Sequence, residues 1–100
     1  MAILAVNAGS SSLKFSLHPL LAGAAQRSIL NGNVEGLEPG GSAVLGWNYE
    51  GQRHSRQLPT TDGDPFEQAL QALGELLSSI PAIAKLDAIV IAQEAEEAAK

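Results

Sequence analysis

One hundred residues, 45% of them hydrophobic, suffice for one compact core and argue against a second domain. The 6 Lys and Arg against 11 Asp and Glu leave a formal net charge of -5. That excludes the broad basic field used to bind nucleic acid or an acidic membrane, so any phosphate binding has to be local. With no cysteine, a disulfide framework and a thiolate metal site are also excluded, and a reducing, cytoplasmic setting is expected. The opening apolar run has no basic leader and breaks at Asn7, well short of the roughly 18 residues a membrane span needs, so neither a targeting segment nor a membrane partner is expected.

Residues 2–6 are wholly apolar and stop at the turn chemistry of Asn7-Ala-Gly-Ser10, which predicts a central strand buried on both faces. Leu13, Phe15 and Leu17 then alternate with Ser12, Lys14, Ser16 and His18, predicting a second, half-buried strand ended by Pro19. The two strands read as a hairpin with a loop longer than two residues. A small-residue stretch at 20–25 precedes a third strand within residues 27–37, bounded by Pro39-Gly40-Gly41. Residues 42–49 and 53–58 flank Glu50-Gly51-Gln52 as a further hairpin.

Phe66, Ala69, Leu70, Leu73, Leu76, Leu77 and Ile80 recur every three or four residues, the stripe of an amphipathic helix. Asp64 is placed to cap it, Pro65 suits the first helical position, Glu67 falls where a capping box puts its carboxylate, and Pro81 marks the stop. The apolar run 86–91 follows a helix, so it can join the sheet parallel to an earlier strand by a right-handed crossover. The expected sheet pairs residues 2–6 antiparallel with 13–17 and parallel with 86–91, with the helix on one face. Residues 93–100 are rich in Ala and Glu, favour helix and lack an apolar stripe, so a mobile or weakly helical tail is expected.

Chemistry concentrates in Asn7-Ala-Gly-Ser-Ser-Ser-Leu-Lys14. A glycine and three serines between strands expose backbone N–H groups and hydroxyls, and concave sets of such donors hold anions. Alternation puts Lys14 on the face of Ser12, from which its ammonium can lean toward an anion at the turn. Asn7 offers a neutral oxygen and an amide that suit a phosphate oxygen or a water on Mg²⁺. The same composition also builds ordinary turns, and the lysine follows leucine rather than glycine, so this is not a Walker loop. Spacing leaves both readings open.

The longer run Ile3-Leu-Ala-Val-Asn-Ala-Gly-Ser-Ser-Ser-Leu-Lys-Phe-Ser-Leu17 closely resembles the opening signature of acetate and propionate kinases. The resemblance implies an α/β fold, a mixed α+β sheet that is part of a ribonuclease-H-like domain. It is the fold shared by acetate and sugar kinases, seventy-kilodalton heat-shock chaperones and actin. It also implies transfer of the ATP γ-phosphoryl group to a short-chain carboxylate with ATP and Mg²⁺ as cofactors, an activity of organic acid metabolism. By the same resemblance Asn7 matches the family's Mg²⁺ and phosphate asparagine and Lys14 its ATP-contacting lysine, with Ser10 and Ser12 as further phosphate contacts. After its matching strand the family continues with a Gly-His-Arg segment whose arginine binds the carboxylate. Here the chain reads Ala92-Gln-Glu-Ala-Glu-Glu, and no arginine follows Arg56. Residues 1–91 are therefore expected to be the N-terminal part of an acetate-kinase-like domain and 92–100 a divergent Ala/Glu-rich tail.

No catalytic residue is expected in this fragment, which should be inactive alone and have as partner the missing remainder of the kinase or another copy of itself. The alternative is a non-catalytic interaction module that keeps the kinase N-terminal fold and binds through an uncovered sheet edge or helix face. The other chemically suggestive residues read as structural. His18 and His54 show no metal-ligand spacing and read as surface histidines; Trp47 and Tyr49 share a strand face and read as packing or exposed sheet; Asp62 and Asp64 sit in a turn and cap; and Glu94, Glu96 and Glu97 make a solvated face.

Overall fold

The structure, a computed structural model, describes residues 1–38, 41–59, 63–85 and 89–95. The strands are β1 (Ala2–Ala8), β2 (Ser12–Leu21), β3 (Ala24–Ala25), β4 (Leu30–Glu35), β5 (Val44–Tyr49), β6 (Gln52–Gln57) and β7 (Ile89–Ala95). Between β6 and β7 come the helix α1 (Pro65–Ser79) and a single turn of helix α2 (Pro81–Ala84). All strands belong to one sheet, ordered β6-β5-β4-β2-β1-β7, with the short β3 paired to β2. β1 pairs antiparallel with β2, setting Val6 opposite Phe15 and Asn7 opposite Lys14, and parallel with β7, setting Ala2 opposite Ile89. The mixed sheet expected from the two apolar runs is thus the observed one, although residues 86–88 lie outside the described residues.

Period-two alternation divides the sheet into two faces. Ala2, Leu4 and Val6 from β1, Leu13, Phe15 and Leu17 from β2, Leu30 and Val34 from β4, and Leu45 from β5 are buried on one face beneath α1. Ile3, Ala5 and Asn7 point the other way and are only half-buried, so β1 is flanked by strands on both sides but covered fully on one face alone. β4 and β5 occupy the two stretches in which strands were expected, and both tight hairpin turns use left-handed backbone, at Ala22–Gly23 and Glu50–Gly51. Two consecutive positive φ values match the right-handed twist of the flanking strands, which is why a glycine in such a turn is informative in sequence.

Three expectations are corrected. Pro19 does not end β2, which continues to Leu21. The Pro19 carbonyl accepts from Gln26 N (2.8 Å), so its ring nitrogen also faces away from β1, beyond the last β2–β4 pair of Leu17 with Leu30, and no rung of that ladder is lost. Residues 93–95 are not tail but strand, registered against Val6, Asn7 and Ala8, because a partner ladder outweighs the weak helix preference of Gln-Glu-Ala. Residues 96–100 lie outside the described residues. Finally, α1 buries Ala69, Ala72, Leu73 and Leu76, and leaves Leu70 49% exposed. Its buried stripe thus keeps Ala69, Leu73 and Leu76 from the expected one, gains Ala72 and loses Leu70.

Asp64 caps the helix as read from sequence, its Oδ1 accepting from Phe66 N at 3.0 Å, and Pro65 occupies the first turn, where its missing N–H costs nothing; the capping box expected of Glu67 is not closed among the described residues. Pro81 stops α1 but also opens α2, whose Ile83 is buried.

Candidate functional site

Where β1 leaves the sheet at Ala8 and β2 returns at Ser12, the backbone makes a short reversal closed by Gly9 N donating to Ser12 O (2.8 Å). A second bond, Leu37 N to Ser11 O (2.9 Å), ties the turn to the end of β4. These bonds fix the reversal while leaving the N–H groups of Ser10 and Ser11 without an acceptor among the described residues. Ser10 is exposed and Ser11 partly buried.

The register brings the sequence-predicted residues together. Asn7 and Lys14 are directly opposed across β1 and β2, and Ser12 lies on the same face, two residues from Lys14. With Gly9 and Ser10 they line one open, polar cavity of about 350 Å³. The side chains of Asn7, Ser10, Ser12 and Lys14 make no hydrogen bond or ion pair with any described residue. A set of hydroxyls, an amide, two free backbone N–H groups and one ammonium suits a phosphate-sized anion. A directly bound metal is poorly served. No group of three or more His, Cys, Asp or Glu comes together among the described residues, and the one neutral oxygen of Asn7 suits a metal-bound water better than the metal itself.

A larger cavity of about 470 Å³ lies on the opposite face, between β1, β7 and α1, but its walls include Leu4, Phe66, Leu70 and Ile91 and carry no polar side chain. Such a lining offers a phosphate no donor, whereas the smaller polar cavity does.

Other candidates resolve into structural roles. His18 is held by Ser16 Oγ at its Nε2 (2.8 Å) and by the Gln26 carbonyl at its Nδ1 (2.8 Å), so it braces the β2–β3 hairpin. Its partners are a hydroxyl and a distant backbone group, which no spacing rule reveals. The exposed His54 stacks on Trp47, ring centroids 5.3 Å apart and 17° from parallel, and Tyr49 packs against the core. Asp64 is the helix cap, and Asp62 lies outside the described residues. Sequence reading missed Arg53, whose guanidinium lies across Gly46 on the same open face as Lys14. A cross-strand contact of this kind has no local sequence signal.

No helix of the described residues is long and apolar enough to cross a membrane. No family model and no curated protein matches the sequence. Among solved structures, the chain is similar to the crystal structure of a propionate kinase from Francisella tularensis subsp. tularensis SCHU S4, with a TM-score of 0.68 and 23% identity. The match covers 92% of this chain and 21% of the kinase, so the chain spans about a fifth of that protein's length. Likeness at this identity establishes fold alone: the chain is a mixed α+β domain built like part of a propionate kinase, an arrangement consistent with a ribonuclease-H-like fold.

Proposed function

We propose that the chain is the N-terminal part of an acetate- or propionate-kinase-like phosphotransferase, in which the β1–β2 turn holds the phosphates of ATP. The observation that carries this reading is the convergence of Asn7, Ser10, Ser12 and Lys14, whose side chains have no partner among the described residues, around one polar cavity in a kinase-like fold. In the whole enzyme a carboxylate oxygen of a short-chain acid attacks the γ-phosphorus, the bond to the β–γ bridging oxygen breaks, and ADP leaves as the acyl phosphate forms. Mg²⁺, when bound, neutralises charge on the phosphates. Lys14 supplies a fixed positive charge beside the polyphosphate, the Ser10 and Ser11 N–H groups and the Ser10 and Ser12 hydroxyls donate to its oxygens, and Asn7 orients a water or a phosphate oxygen.

The chain alone does not catalyse in this account. Positioning is most of this chemistry, one open wall excludes no water, and no arginine after Arg56 is present to clamp a carboxylate. A cytoplasmic setting fits the cysteine-free composition. Residues 1–91 would be the kinase part and 92–100 the divergent segment. Complementation tests the proposal: purified chain should produce acyl phosphate only at background, and adding the remainder of a homologous kinase should restore transfer, which Lys14→Ala in this chain should lower by tenfold or more. Full activity of the chain alone, or no restoration with a remainder that associates with it, would overturn the reading.

A second reading, a non-catalytic interaction module, draws on Leu70 and Ile91, 49% and 67% exposed beside the apolar cavity at the β7 edge. It predicts a stable folded chain that gives no complementation.

A further inference from the structure

On the open face of the sheet, Asn7, Lys14, Asn33, Gly46 and Ser55 stand side by side in register across β1, β2, β4, β5 and β6. Gly46 interrupts this row of side chains, and the gap is filled from elsewhere. Arg53 is registered against Asn48, two residues along β5, yet its side chain leans back so that Nη2 crowds, and Cζ lies 3.1 Å from, the position a Cβ on Gly46 would take. Gly46 is buried under it. Its φ is outside the left-handed region, so the backbone does not call for glycine there; what a side chain would cost is the seat of the guanidinium.

This seat brings a second cation into the row of Lys14. Two strand spacings separate β2 from β5, which puts the guanidinium roughly 10 Å from the Lys14 backbone, with Asn33 between them. Lys14, Asn31, Asn33, Asn48 and Arg53 line a shallow cavity of about 320 Å³ that shares Lys14 with the cavity at the turn. The asparagines are ordered: Asn48 Nδ2 donates to Asn31 Oδ1 (3.0 Å), and Asn33 Nδ2 donates to Glu35 Oε1 (2.8 Å). Glu35 stands toward the turn, opposite Ser12, and does not line the cavity. Neither Lys14 nor Arg53 is paired with a carboxylate among the described residues.

We propose that Lys14 and Arg53, with the Asn31–Asn48 pair as polar floor, form a second oxyanion subsite beside the turn, which takes the phosphate or carboxylate group of a small molecule. Arg53 supplies the planar fork that such groups accept in pairs, and Gly46 is the positioning residue that lays it flat on the sheet. The subsite shares Lys14 with the turn but adds Arg53, which the proposed role of the turn does not use.

Titration with inorganic phosphate, and separately with acetate, tests it by following the Arg53 side-chain Nε–H and the backbone amides of Asn33 and Gly46. At least one of the two should move these signals saturably, and which one does so names the group the subsite takes. Arg53→Gln should weaken that binding about fivefold, the upper range for an exposed charge pair. Gly46→Ala removes no charge and displaces only the far end of a flexible side chain, so it should weaken binding by a similar factor with the circular dichroism spectrum unchanged. Both variants should leave phosphate shifts at Ser10 and Ser11 within twofold of the parent, so loss there alone reports on the turn and not on this subsite. The proposal is overturned if neither anion moves Arg53, or if a folded Gly46→Ala chain binds as the parent does.

Discussion

The two faces of this sheet are made by the same strands and by alternate residues of the same sequence, yet they have opposite contents. Beneath α1, Leu17, Leu30, Leu45 and Val34 are fully buried, and no described polar side chain is buried anywhere. On the other face Lys14 is exposed and Ser12, Asn31, Asn33 and Asn48 are only partly buried, and the two polar cavities meet at Lys14. One face therefore carries the packed core and the other the polar side chains in which the proposed site lies, with only the strand backbone in common. Substitutions on the two faces should separate cleanly in what they change.

The largest separation is expected at Leu17. It is fully buried between Leu4 and Leu30 in the register, and Leu17→Ala should lower unfolding stability by about 3 kcal/mol, read from urea denaturation, as cavity-forming changes in cores do. The folded fraction should still show anion-dependent shifts at the turn. If stability fell by less than about 1 kcal/mol, the division into a packed and a free face would be wrong at its centre.

The edge of the packed side gives a second test. In β7 every other N–H points at β1, so alternate amides among residues 89–95 should exchange at least tenfold more slowly than their neighbours. Uniformly fast exchange at residues 93–95 would return them to a tail. Smaller again is the cap: Asp64→Ala removes the acceptor for Phe66 N and should cost about 1 kcal/mol, with no effect on anion binding at the opposite face. The smallest change in stability should come from Lys14→Ala, within about 0.5 kcal/mol of the parent, because its side chain lies off the packed face and has no partner to lose.

Much of this architecture could be read from local pattern. The apolar run to Val6, the alternation Leu13–Phe15–Leu17 and the Asp64-Pro65 start each follow from chemistry within a few residues, so β1, β2, α1 and the face of Lys14 were legible before the structure. The candidate turn was legible for the same reason. What could not be read depends on neighbours distant in sequence. Pro19 stays in a strand because the adjacent ladder has already ended, Gln93 is extended because Val6 is beside it, and Leu70 is exposed because the helix turns Ala69, Ala72, Leu73 and Leu76 to the core instead. Arg53 went unnoticed because its place is set by the emptiness of Gly46 on another strand.

The most direct test of the central claim, that the turn on the open face is a phosphate site, is an ATP titration followed by backbone amide shifts. The account predicts weak binding, with a dissociation constant of about 1 mM. Asn7, Ser10, Ser11 and Lys14 should move before any other segment, and Lys14→Ala or added salt should reduce those shifts several-fold. Shifts that begin instead in α1 or in the Glu50–Gly51 turn and are unchanged by Lys14→Ala would contradict it, leaving the turn between β1 and β2 as a connection without a ligand.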